Sequence, residues 1–210
     1  MAVKLLRLLV ATLCVPVVQA QAQVLAPDIL VKTITDEVVT VLRQDKDIQA
    51  GDTKKVANLI ETKGLPHFNF TRMTRLAMAR NWRLASPEQQ AQLTNEFRTL
   101  LVRTYSTAIS SYREQKIDYK PLRAKPEDTE VTVKAEVRQP GSTQPVPIDY
   151  EMEKTSNGWK VYDVKVGGVS LVTTYRETFA AEVKDHGVDG LIKSLAEKNR
   201  SGERLKPGKT

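Results

Sequence analysis

The stretch that most constrains the fold of this chain runs from Asn157 to Val183. Asn157-Gly158 predicts a tight two-residue hairpin turn, because both residues tolerate positive φ. After it, Tyr162, Val164 and Val166 alternate with Asp163 and Lys165, the period of a half-buried strand. Trp159 and Val161 fall in the opposite parity, so a bulge or a doubly buried start is expected. Gly167-Gly168 should end the strand, and Ser170 can cap a helix whose Val172, Tyr175, Phe179 and Val183 share one face. A last antiparallel strand thus turns sharply into an apolar-faced helix, which is expected to fold back over the sheet. What fills the space between helix and sheet becomes the functional question.

The rest of the sheet is legible upstream. Val131, Val133, Ala135 and Val137 alternate with charged or polar residues, and so do Val146, Ile148, Tyr150 and Met152. A shorter strand is expected around Ile117, Tyr119 and Leu122. These are strands with one wet face, as in an antiparallel meander. Helices precede them. Leu30, Ile34, Val38, Val41 and Leu42 follow helical spacing between Asp28 and Asp45, and a second helix is expected from Asp52 to Gly64, ahead of Pro66. Ser86-Pro87-Glu88-Gln89 combines a capping serine, proline at the first helical position and a glutamine placed for a capping box. The apolar run from Leu93 to Tyr112 makes this the longest helix, near 40 Å at roughly 1.5 Å per residue. Gly187 to Asn199 should form a short final helix. Helices first and four strands afterwards indicate an α+β fold, a four-stranded antiparallel sheet with helices wrapped on one face.

The two ends read differently from the middle. Lys4 and Arg7, an apolar run from Leu8 to Val18 and Ala20-Gln21-Ala22 have the form of a secretory leader, expected to be cleaved after Ala20 or Ala22. The apolar run is too short to span a bilayer. Loss of those two cations takes the formal net charge from +7 to +5, and loss of Cys14 leaves no cysteine. An exported chain without disulfides must hold together by its core, and export argues against nucleic acid as a partner. Residues 23–200 are expected to form one domain, with residues 201–210 a disordered basic tail.

Two constellations could carry function. Arg72, Arg75, Arg80 and Arg83 share a short helical segment with Met73, Leu76 and Trp82, either a solvated basic face or a contact surface for phosphate headgroups or an acidic partner. The acid–base candidates for an enzyme acting on a small apolar substrate are Asp163, Tyr162, Tyr150, His67 and His186. No nucleophile–base motif or metal-ligand cluster accompanies them, and strand parity turns Asp163 away from the Val164 face, towards solvent.

The run from Trp159 to Val172 with Tyr175-Arg176 and Phe179 closely resembles the MlaC, or toluene-tolerance, family. The segment from Arg72 to Trp82, the Ser86 helix start and the ending from Gly187 to Leu195 match it too, although Ala79 stands where the family is expected to have glycine. The resemblance covers nearly the whole mature chain. It implies an NTF2/cystatin-like fold with an apolar cavity between sheet and helices, and a periplasmic carrier rather than an enzyme. It further implies a diacyl glycerophospholipid as ligand, no cofactor or metal, and a monomer that shuttles lipid and so maintains outer-membrane lipid asymmetry. Its partners would be an outer-membrane lipoprotein–porin complex and an inner-membrane ABC transporter. Alternation and helix spacing select Leu101, Val133, Ile148, Tyr150, Val164, Val166, Val172 and Tyr175 as the expected cavity lining, and the four arginines as the expected docking contact.

Overall fold

The computed structural model describes residues 25–110, 112 and 114–202; the expected leader and all but the first two residues of the expected tail lie outside the described residues. The chain begins with α1 (Pro27–Gln44), α2 (Lys46–Gln49) and α3 (Thr53–Leu59), the last running on through a π turn, Ile60–Gly64, and a 3-10 turn, Leu65–His67. Next come α4 (Phe70–Met78), a 3-10 turn at Ala79–Leu84, and the long α5 (Pro87–Ser110). The strands β1 (Lys116–Tyr119), β2 (Glu130–Arg138), β3 (Val146–Thr155), β4 (Gly158–Val166) and β5 (Val169–Ser170) follow, and α6 (Arg176–Ser201) closes the chain.

Local chemistry sets the boundaries. Asp45 and Asp52 accept the first free amides of α2 and α3. At α5 the expected capping box forms: the Gln89 amide donates to Ser86 Oγ at 3.2 Å, and the Ser86 amide donates to Gln89 Oε1 at 2.9 Å. Gly158 takes positive φ (93°) at the start of β4, while Asn157 does not, so Ser156 and Asn157 form the hairpin tip and the glycine alone supplies the left-handed residue.

The sheet is an antiparallel meander in the order β1-β2-β3-β4-β5, five strands rather than four. The fifth arises because Gly167 and Gly168 do more than end β4. Both take positive φ (60° and 85°) and close a second tight hairpin, pairing Val166 with Val169. Of the two alternatives for the start of β4, a bulge or a doubly buried start, the bulge is what forms: Glu151 pairs with Asp163 and Met152 with Val161, which leaves Tyr162 as the extra residue. That one residue resolves the parity conflict. Trp159 and Val161 face inward before it, Val164 and Val166 face inward after it, and Tyr162 turns out to lie against the Arg72 guanidinium, 3.6 Å from the ring centre.

Helices cover one face of the sheet, but not all in the expected order. The α1 residues Leu30 and Val31 pack on Val131, Val133, Met152, Trp159 and Val161. Phe179 and Val183 of α6, together with Val172 and Tyr175 in the turn that leads into it, instead meet α5 and α4, in a separate helical core with Leu93, Phe97 and Met78. Ser170 does cap the turn into α6, its Oγ accepting from the Val172 and Thr173 amides at 3.2 and 2.9 Å. β5 carries that turn off the edge of the sheet, so the helix swings away from the strand face. Its axis breaks at Gly187 (φ 71°, ψ −176°), which separates the expected final helix from the rest of α6.

Candidate functional site

Between α1, the second half of α5 and the inner face of the sheet, two apolar cavities remain, of about 420 and 240 Å³. Phe68, Tyr105, Ile109, Ile148, Tyr150 and Leu171 border both, and Ile60 closes them from the π turn. The larger is walled by α1 through Leu30, Ile34, Val38 and Leu42, and by the sheet through Val137, Met152 and Val161. The smaller lies deeper, against Leu101 and Val102 of α5 and Phe70 and Met73 of α4. Phe68 is fixed between them because the chain after it runs along β4, where the Asn69 amide donates to the Val161 carbonyl at 2.8 Å. Of the residues lining either cavity only Ala108 and Val166 are exposed, Val166 at 37%. They place the mouth between the end of α5 and the β4–β5 hairpin.

The electrostatics of the wall are one-sided. No Asp, Glu, Lys or Arg lines either cavity among the described residues. Burial works against charge on this wall: it pushes the Tyr150 and Tyr105 phenols above their ordinary range. The His67 imidazole is held below its own, first by burial and then by the charge of Lys160. A space of this kind accepts hydrocarbon and rejects ions.

The expected lining residues divide. Ile148 and Tyr150 border both cavities, Leu101 and Val164 the smaller, and Val166 the larger. Val133 is packed solid beneath α1, while Val172 and Tyr175, each 0% exposed, sit in the helical core because α6 does not cross the sheet. Residues not singled out from sequence complete the site: Phe68, Leu171 and the inner faces of α1 and α5. The helical faces were visible as apolar periodicity; nothing in sequence marks Phe68 or Leu171 as facing a void rather than a packed core.

The acid–base candidates are not gathered. Tyr150 and His67 are at the cavity, Tyr162 is on the opposite sheet face, and His186 lies exposed on α6 beside Glu182. Asp163 points away from the Val164 face, but it is buried at 3% exposure rather than solvated. The chain turning into α6 covers it, and its carboxylate accepts from Ser170 Oγ at 2.5 Å and the Val164 amide at 2.8 Å.

The arginine segment lines a third concavity of about 940 Å³ on the far side of α4. Arg72 is tied down there by Glu153 (2.6 Å) and Glu130 (2.7 Å).

A family model described as MlaC protein matches residues 32–197. The chain is 20% identical over 172 residues to the intermembrane phospholipid transport system binding protein MlaC of Haemophilus influenzae, covering 81% of this chain and 80% of the relative. It is 29% identical over 108 residues to toluene tolerance protein ttg2D of Pseudomonas putida, a match spanning 51% of this chain and 49% of that one. A solved structure of a phospholipid-binding protein from Ralstonia solanacearum, in complex with a phospholipid, aligns with a TM-score of 0.76 at 41% identity. That match covers 83% of this chain and 97% of the other.

Proposed function

The chain belongs to the MlaC family, and on that premise we propose that it is a periplasmic carrier that encloses the tails of a glycerophospholipid and passes it between an outer-membrane lipoprotein–porin complex and an inner-membrane ABC transporter. The observation that carries this reading is the uncharged, predominantly apolar lining of two adjoining cavities that share a wall. Hydrocarbon in water costs roughly 0.8 kcal/mol per methylene, so a sixteen-carbon tail left exposed costs over 10 kcal/mol. A carrier must therefore bury tails completely while leaving the polar headgroup outside. An acyl tail spans about half of a hydrocarbon core near 30 Å thick. The nine- and ten-residue strands behind the cavities, at roughly 3.3 Å per residue, are long enough to lie beside it. The neighbour solved with a phospholipid supports the same ligand class.

Native mass spectrometry with lipid extraction tests the proposal. Protein purified without detergent is expected to carry co-purified diacyl phospholipid. A bare polypeptide mass in every preparation would remove the reading's support.

A further inference from the structure

We propose that the arginine-lined groove outside α4 is a docking site for an acidic segment of a protein partner, distinct from the mouth of the apolar cavities. Arg72, Arg75, Arg80, Arg83 and Arg176 line it against a single carboxylate, Glu153. Arg72 is consumed internally by Glu153 and Glu130, and the Arg176 Nε donates to the Leu76 carbonyl at 2.8 Å. The side chains of Arg75, Arg80 and Arg83 make no ion pair or hydrogen bond with any described residue. Three arginines that line one concavity therefore have no partner among the described residues, and a guanidinium fork matches a carboxylate in two-point geometry.

Shape selects the occupant. A bilayer surface is flat and meets projecting groups, whereas this groove of about 940 Å³ is concave and needs something that protrudes into it. Trp82 and Leu76 line the same groove, so it offers an apolar contact beside the charges. Tryptophan and arginine together are the side chains that dominate protein–protein hot spots. An extended acidic segment carrying an apolar side chain satisfies both.

Position makes the site separate from the mouth. Gln90, near the start of α5, borders the groove, and Ala108, near its end, borders the mouth. Eighteen helical steps separate them, about 27 Å at roughly 1.5 Å each. The groove and the deep cavity nevertheless share α4: Phe70 and Met73 line the cavity, Arg72 and Arg75 the groove. The proposal does not depend on what the cavity holds.

The test uses the full-length protein and a fluorescein-labelled peptide of about fourteen Glu and Asp residues interrupted by two Leu, read by anisotropy at about 20 mM salt, where exposed charges are weakly screened. The combined R75Q/R80Q/R83Q variant should weaken binding at least about tenfold, whereas K46Q/K54Q/K125Q, which removes the same charge elsewhere, should change it less than about twofold. The peptide should also shift Trp82 emission, a signal lost in W82F. Equal losses in the two triple variants would reduce the effect to net charge and overturn the proposal. So would failure of the peptide to bind while phosphatidylglycerol vesicles are held by the wild type and released by the arginine variant; that pattern makes the groove a membrane contact. Thermal unfolding and lipid occupancy are measured on the same samples. Loss of either in the arginine variant would assign these residues to the fold or the cargo and equally overturn it. An empty cavity with peptide binding intact would sink only the carrier reading.

Discussion

The helical core and the sheet-side space are built from similar side chains and end differently. In the first, Phe97 meets Tyr175 and Phe179 edge-on at 5.3 and 5.1 Å between ring centres, and buried residues from α4, α5 and α6 pack around them. In the second, Phe68, Tyr105 and Tyr150 stand around a void, with the long α5 and the twisted sheet holding its walls apart. Apolar composition drives both regions out of water. Whether the result is a core or a binding cavity depends on interdigitation, which three aromatic rings achieve in one place and the separated α1, α5 and sheet prevent in the other.

Truncation should break this comparison most strongly. Phe97→Ala removes the ring that both neighbours touch, and is expected to cost about 3–5 kcal/mol in urea unfolding, while the folded fraction keeps its lipid. Enlargement gives the converse pair. Val172→Trp, in the filled core, should destabilise by about 1–3 kcal/mol through overpacking. Val164→Trp, in the deep cavity, should change stability by less than about 1 kcal/mol but sharply lower lipid per protein in native mass spectra. If both tryptophans destabilise equally, the space beside Val164 is not open, and the distinction between the two regions fails.

Sequence reached the elements of this fold more securely than their assembly. The capping box at Ser86 and Gln89, the alternation of β2 and β3 and the bulge in β4 were all legible, because each depends on residues within a few positions of one another. The fifth strand was hidden in Gly167-Gly168, which reads equally as a strand end or as a hairpin. The destination of α6 was not legible, since an apolar stripe states that a helix is covered and not by what. For the site, Ile148, Tyr150, Val164, Val166 and Leu101 were placed on the cavity side by periodicity alone. Val133, Val172 and Tyr175 satisfy the same periodicity and lie in packed interior, because periodicity measures burial and a cavity is a failure of packing.

A smaller effect probes the segment between the two regions. Ala79 ends α4 with φ 49° and ψ −125°, a conformation that penalises a Cβ, and it is the one non-glycine residue with positive φ among those described. Ala79→Gly should raise stability by about 1 kcal/mol, less whatever the glycine adds to unfolded-chain entropy. Because α4 is shared by the cavity and the arginine groove, lipid occupancy should stay unchanged if the strain is only local. A shift in occupancy would show that the α4 terminus sets the cavity's width.

The smallest expected effect concerns Asp163, where the sheet side passes into the helical side. Burial raises its pKa, opposed in part by hydrogen bonds from Ser170 and the Val164 and Val172 amides and by the charge of Lys165. With the folded value above an unfolded value near 3.9, the folded chain holds the proton more tightly. The stabilising contribution is therefore fully present below about pH 3.9 and is lost as pH rises through the folded value. Other carboxylates titrate in the same range, so the informative quantity is the stability of wild type minus that of Asp163→Asn, from urea midpoints between about pH 3.5 and 7. That difference should decline as pH rises and then level off. Growth with pH would mean that the hydrogen bonds to the carboxylate outweigh its burial, and that the ionised form of Asp163 is what clamps β4 to the turn leading into α6.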